Sequence, residues 1–169
     1  MSDQEPVCVL RLPPRPGNPR NSEGDFVQLS DGRWLFVYTH FDSGDGDYAS
    51  AHLAARASDD DGLSWSQEST LVLPNEAKMN VMSVSLLRLT DGRIALFYLR
   101  KESVTDCRPY LRTSCDEART WSPPVRIVPD KDAAYYVVNN DRVVQLTNGR
   151  LVVPAAFHTI QRNPPGFSP

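Results

Sequence analysis

Apolar positions fall in short runs, and three pairs of these runs repeat. The segments 26–38, 86–98 and 143–153 each hold two stretches rich in Val, Leu, Phe and Tyr around a polar dipeptide: Asp31-Gly32, Asp91-Gly92 and Asn148-Gly149. Such dipeptides between β-rich runs predict hairpins with a two-residue type I′ turn. The dipeptides recur about every 60 residues, which predicts repeated units that each need a neighbour to bury their faces.

A second pattern repeats out of phase with the first. Ser58-Asp59-Asp60-Asp61-Gly62-Leu63-Ser64-Trp65 has its counterpart in Ser114-Cys115-Asp116-Glu117-Ala118-Arg119-Thr120-Trp121. In each copy the Ser and Asp side chains are placed to bond nearby backbone N–H groups, and the Trp is placed to fold back as an apolar plug. Gly62 suits a positive φ, so Ala118 at the same place predicts strain in the second copy. Strands are expected before and after each motif, at 50–57 and 68–74 and again at 108–113 and 125–129. A further strand is expected at 7–12, ahead of a proline-rich loop at 13–19 whose PxxP pattern reads as a rigid connector.

Four short antiparallel strands per period define an all-β chain of β-propeller blades. A β-sandwich would account for the short strands but not for two turn motifs recurring at one spacing. The expected divisions are blade 1 at 20–75, blade 2 at 80–130 and an incomplete blade 3 at 135–169.

Composition narrows the function. The net charge of −3 supplies no basic field for nucleic acid or an anionic membrane. No apolar run approaches a membrane span, and the N-terminus lacks the basic-then-apolar layout of a signal peptide. Cys8, Cys107 and Cys115 are odd in number and lack metal-type spacing, so free thiols are expected. Asp42, Asp45 and Asp47 lie among glycines but lack the terminal bidentate Glu of a calcium loop, and neither a metal ion nor a cofactor is expected.

In a propeller the inner strand of each blade starts near the axis, and the loops at that end form the pocket. The leads into the three inner strands are polar: Glu23-Gly24-Asp25, Ser83-Val84-Ser85 and Asn140-Asp141-Arg142. By period two, Glu23 and Asp25 share a strand face, as do Asn140 and Arg142. The segments 40–47 and 100–108, with Arg100 and Arg108 at the ends of the second, and His158 return to the same end. Carboxyl groups with arginines among them fit a glycosidase site, one carboxyl acting as general acid/base and the arginines gripping an acidic or hydroxyl-rich sugar.

The repeated eight-residue motif resembles the Asp-box of the bacterial neuraminidase (BNR) repeat of sialidases and their relatives. The resemblance implies a six-bladed ring, of which two and a half blades are present, with the Asp-box as an outer structural turn. By the spacing of the first two motifs a third would begin just past Pro169, after the Asn163-Pro164-Pro165-Gly166-Phe167 run. The resemblance further implies a sialidase-like exo-glycosidase acting on a sugar or glycoconjugate. Its acid/base Asp precedes the first Asp-box, pointing to Asp47 or Asp45, with Glu23 a third catalytic candidate. The Arg-Ile-Pro arginine of that family is expected near 21–24, where Arg20 stands about two residues away. Arg20, Asp25, Arg100, Arg108, Asn140, Asp141, Arg142 and His158 are the expected substrate contacts, and the family's nucleophile pair is expected beyond Pro169. A part-ring by itself is expected to be inactive and to self-associate through open blade edges. Two alternatives stay open: a non-catalytic propeller that binds carbohydrate or protein, and a glycosidase using Glu23 paired with Asp47.

Overall fold

The structure is a computed structural model that describes residues 6–158; the Asn163-to-Phe167 run lies outside them. Strands β1 (Arg20–Gln28), β2 (Trp34–Phe41), β3 (Ala51–Ser58) and β4 (Thr70–Leu73) form one antiparallel meander. Strands β5 (Asn80–Arg88), β6 (Ile94–Lys101), β7 (Cys107–Ser114) and β8 (Val125–Arg126) repeat that order. After a 3-10 turn at Asp130–Asp132, β9 (Tyr135–Val137) pairs with β12 (Ala156–His158), and β10 (Val144–Gln145) pairs with β11 (Leu151–Val152). The third hairpin is thus zipped in two places, and one parallel pairing, Cys107 with Tyr135, joins it to β7. The described residues are all-β with antiparallel sheets and contain no α-helix.

Alternation along the strands builds the core in layers. Val27, Val37, Leu53 and Ala55 of the first sheet meet Val81, Val84, Leu86, Ile94 and Leu96 of the second. On the opposite face of the second sheet, Leu89, Ala95 and Phe97 meet Val143 of the third hairpin. A fully buried residue such as Val37, Leu53 or Ile94 contributes roughly 1.5 to 3 kcal/mol by leaving water.

The hairpin turns are not type I′. The Leu29 N–H donates to the Arg33 carbonyl (2.8 Å) and the Gly32 N–H to the Leu29 carbonyl (3.0 Å), and Leu89 and Leu146 head the same pattern in the other two hairpins. Each is a three-residue loop in which only the glycine takes a positive φ, 89° at Gly32 and Gly92 and 85° at Gly149. Asp31 reaches this turn from negative φ because its carboxylate accepts the Arg33 N–H (3.1 Å) and the Arg33 guanidinium (2.9 Å).

The eight-residue motifs fold alike. Ser58 Oγ donates to Asp60 (2.8 Å) and accepts the Gly62 N–H (2.9 Å), while Asp60 also accepts the Ser64 N–H (2.8 Å) and hydroxyl (2.6 Å). Ser114, Asp116, Ala118 and Thr120 repeat these bonds at 2.8, 2.9, 2.9 and 2.6 Å. The hydroxyl of Ser64 or Thr120, followed by the backbone N–H groups, holds Asp60 and Asp116 down at about 2. Ala118 stands at φ 62°, in the left-handed region that Gly62 occupies at 82°.

Three further expectations change. Residues 7–12 form no strand, and Val7 is 80% exposed; the segment instead lies along a groove with Glu23, Phe36, Tyr38 and Trp65. Trp65 and Trp121 are half-buried rather than enclosed plugs. Trp121 packs against the layer between the two sheets, whereas Trp65 rests on Phe26 and Phe36, on the face of the first sheet turned away from the second. Finally, bulges between Ser22 and Gly24 and between Met82 and Ser85, with Asp141 at φ 51°, interrupt the alternation that would put Glu23 with Asp25 and Asn140 with Arg142 on shared faces.

Candidate active site

Loop 42–50 arches from the top of β2 over the start of β5, and two side chains of the second sheet hold it there. Asn80, fully buried, donates to the carbonyls of Asp47 (2.8 Å) and Ala49 (2.9 Å). Lys101, also buried, donates to the same Asp47 carbonyl (2.8 Å) and carries its ammonium between the rings of Tyr48 (5.0 Å) and Tyr135 (5.5 Å). With its backbone fixed, Asp47 presents an exposed carboxylate to Arg20 at 2.6 Å. Arg20 also donates to the Asp45 carbonyl (2.9 Å) and lies over the Phe41 ring. His158 completes this end of the molecule against Tyr135, with ring centroids 5.9 Å apart.

The sequence singles out Arg20, Asp45, Asp47 and His158 but passes over Asn80 and Lys101. A legible signal existed: Asn80 opens and Lys101 closes two apolar runs, and the hairpin pairs them directly. Polar residues at matched ends of buried strands require partners, and here the partner is the loop of the preceding sheet. Tyr135 both faces the Lys101 ammonium and packs against Met82, Leu99 and Cys107. Burial raises its phenol pKa, so the group is held protonated.

The inner-strand residues form a second group. Asp25 is buried, and its carboxylate accepts the Leu86 N–H of the next sheet (2.7 Å) and the Phe26 N–H (2.6 Å), an arrangement that braces the two inner strands. Burial raises its pKa against these bonds, and nearby Asp141 adds to the rise. Asn140 donates to the Gly24 carbonyl (3.2 Å), and the Arg142 N–H donates to Ser85 Oγ (3.4 Å), so the leads of all three hairpins are tied together. Glu23 is half-buried and accepts the Ser22 hydroxyl. Asp141 and Arg142 are exposed.

Arg100 and Arg108 point elsewhere. They are cross-strand partners on the face toward the first sheet. Arg100 lies over Tyr110 and bonds Glu102 (2.8 Å), while Arg108 bonds Asp106 (2.7 Å) and Asp130 (2.9 Å). Acidic neighbours already neutralise both.

Residues 58–168 match the family of BNR repeat-like domains, and the chain belongs to that family. No curated protein sequence matches it. Among solved structures it is similar to a Dyadobacter fermentans protein of unknown function, with a TM-score of 0.67 and 15% identity over 83% of this chain and 48% of that one. It is also similar to the sialidase of Trypanosoma rangeli, with a TM-score of 0.60 and 15% identity over 82% of this chain and 26% of the sialidase. The chain therefore shares the sialidase-type fold while spanning about half and about a quarter of those proteins.

Proposed function

We propose that this chain is part of a sialidase-like exo-glycosidase that removes terminal acidic sugars from glycoconjugates, its sheets being the opening blades of a six-bladed propeller. The observation that carries the reading is the seating of Asp47: a carboxylate exposed at the end where the loops gather, facing Arg20, with its own backbone clamped by Asn80 and Lys101. A general acid must be held to a fraction of an ångström, and a clamp from a neighbouring sheet supplies that. In this reading the carboxylate of an arriving acidic sugar takes Arg20 away from Asp47. The freed carboxylate, open to solvent, takes up a proton there and delivers it to the leaving oxygen. Asp45 and Glu23 are the next acid candidates, and His158, Asn140 and Arg142 line the approach.

The test is hydrolysis of fluorogenic sialosides, with neutral pyranosides as controls, by protein carrying the complete ring. Asp47→Asn should lower kcat by two to four orders of magnitude, of the order general acids supply, while KM changes little. Hydrolysis of neutral glycosides alone would move the reading to another exo-glycosidase. Glycan binding without turnover, indifferent to Asp47→Ala, would favour a carbohydrate-binding propeller instead.

A further inference from the structure

At the base of loop 42–50, on the face of the first sheet that carries Tyr38, lies a cluster the glycosidase reading does not use. His40 on β2 and His52 on β3 are directly opposite each other in the ladder, with rings stacked 4.4 Å apart and 26° from parallel. Both turn Nδ1 toward Asp42 Oδ1, His52 at 2.8 Å and His40 at 3.5 Å, and the three donor atoms all lie within 4.8 Å of one another. We propose that His40, Asp42 and His52 form a binding site for a divalent transition-metal ion.

Three observations converge on an ion rather than on a hydrogen-bonded trio. First, His52 and Asp42 already make a complete pair, whereas His40 Nδ1 is buried with no hydrogen-bond partner. A buried nitrogen left so is destabilising, and a cation among the three donors would satisfy it. Second, both imidazoles are largely covered, with side-chain exposures of 12% at His40 and 23% at His52, so little water competes for their nitrogens. Third, the frame is rigid: the imidazoles rise from paired strands, and Asp42 is fixed where the ladder ends, its N–H donating to the Ser50 carbonyl (2.9 Å). Metal–ligand bonds of about 2.0 to 2.2 Å need donors roughly 3.3 Å apart, which small rotations of these side chains supply.

Two imidazoles and one carboxylate suit zinc or cobalt rather than calcium or magnesium, which take oxygen ligands. Three protein ligands leave positions for water. The expectation of no metal weighed Asp42 only with Asp45 and Asp47, yet the fold turns Asp42 to the histidines and Asp47 to Arg20. An ion here would anchor the root of the loop bearing Asp45 and Asp47, whether or not that loop catalyses glycoside cleavage.

The experiment titrates the metal-free chain with Co²⁺ and follows d–d absorption, then measures Zn²⁺ affinity by competition with a chromophoric chelator. One equivalent of Co²⁺ should give a low-coordinate nitrogen–oxygen spectrum that Zn²⁺ abolishes. His40→Ala, His52→Ala and Asp42→Asn should each weaken binding roughly tenfold or more. His158→Ala and Cys8→Ser should not. The Co²⁺ spectrum of the unaltered chain keeps the test decisive if a variant fails to fold. Absence of stoichiometric binding, a thiolate charge-transfer band, or affinity indifferent to His52→Ala would overturn the proposal.

Discussion

The Asn140 side chain donates to the main-chain carbonyl of Gly24 across 116 residues of sequence, a bond that ties the third hairpin to the first. It forms because Gly24 follows a bulge and runs unusually close to β2. A Cβ built at Gly24 would stand 2.5 Å from Phe36 and 2.6 Å from the Val37 carbonyl. Gly24→Ala should therefore cost about 2 kcal/mol or more through displaced backbone, read as a lower denaturant midpoint at unchanged slope.

The repeated turn offers a matched pair of substitutions. Gly62→Ala meets only ordinary contact with Trp65, so its cost of about 1 kcal/mol should be conformational. Ala118→Gly relieves the same strain and should stabilise by several tenths of a kcal/mol, because the lost methyl contact with the inter-sheet layer offsets part of the gain. Thermal melts of the two variants should move in opposite directions.

Glu117 makes a two-pronged pair with Arg88, 2.7 Å on each arm, and accepts the Ser30 N–H of the first sheet (2.7 Å). These bonds, the Arg88 contact foremost, hold its pKa at about 2 rather than near 4.5. Because the folded value is the lower one, the stabilisation is fully present above about pH 4.5 and fades as pH falls toward 2. Glu117→Gln should thus be less stable than the parent at pH 6, and the gap should close in acid. A gap independent of pH in urea titrations would contradict this assignment.

Asn80 is the hinge pin of the candidate site. Asn80→Ala removes both of its bonds to loop 42–50, and amide hydrogen exchange at 44–49 should rise while the strands stay protected.

The thiols should divide two to one. Cys8 and Cys115 are exposed, whereas burial pushes Cys107 up to about 12. A thiol-reactive chromophore at pH 8 should therefore count two fast groups in the native protein, and a third only after denaturant is added.

The frame was largely legible because hairpins and turns are local events. Leu29 through Arg33 and Ser58 through Trp65 state their own geometry, down to the strain at Ala118, although the glycine turn has three residues where Asp-Gly favoured two. The site was less legible because it arises between sheets. Nothing around Lys101 announces that its ammonium meets the Asp47 carbonyl of another unit, and Arg100 one position earlier takes the opposite face. The bulges at Ser22 and Met82 displaced the rest, since one extra residue inverts every face assignment beyond it.

The identical glycine turns sit at one end of the hairpins, and the loops 42–50 and 102–106 hang from the other. Hairpin register is set by the turn, so a residue inserted at Asp31 or Asp91 that slipped the pairing by one would turn that strand's core side chains outward. The same insertion in an upper loop would leave the ladder untouched. Strand register and loop seating are thereby written at opposite poles of the molecule, and loop 42–50 can be exchanged only for one that still caps the buried Asn80 and Lys101.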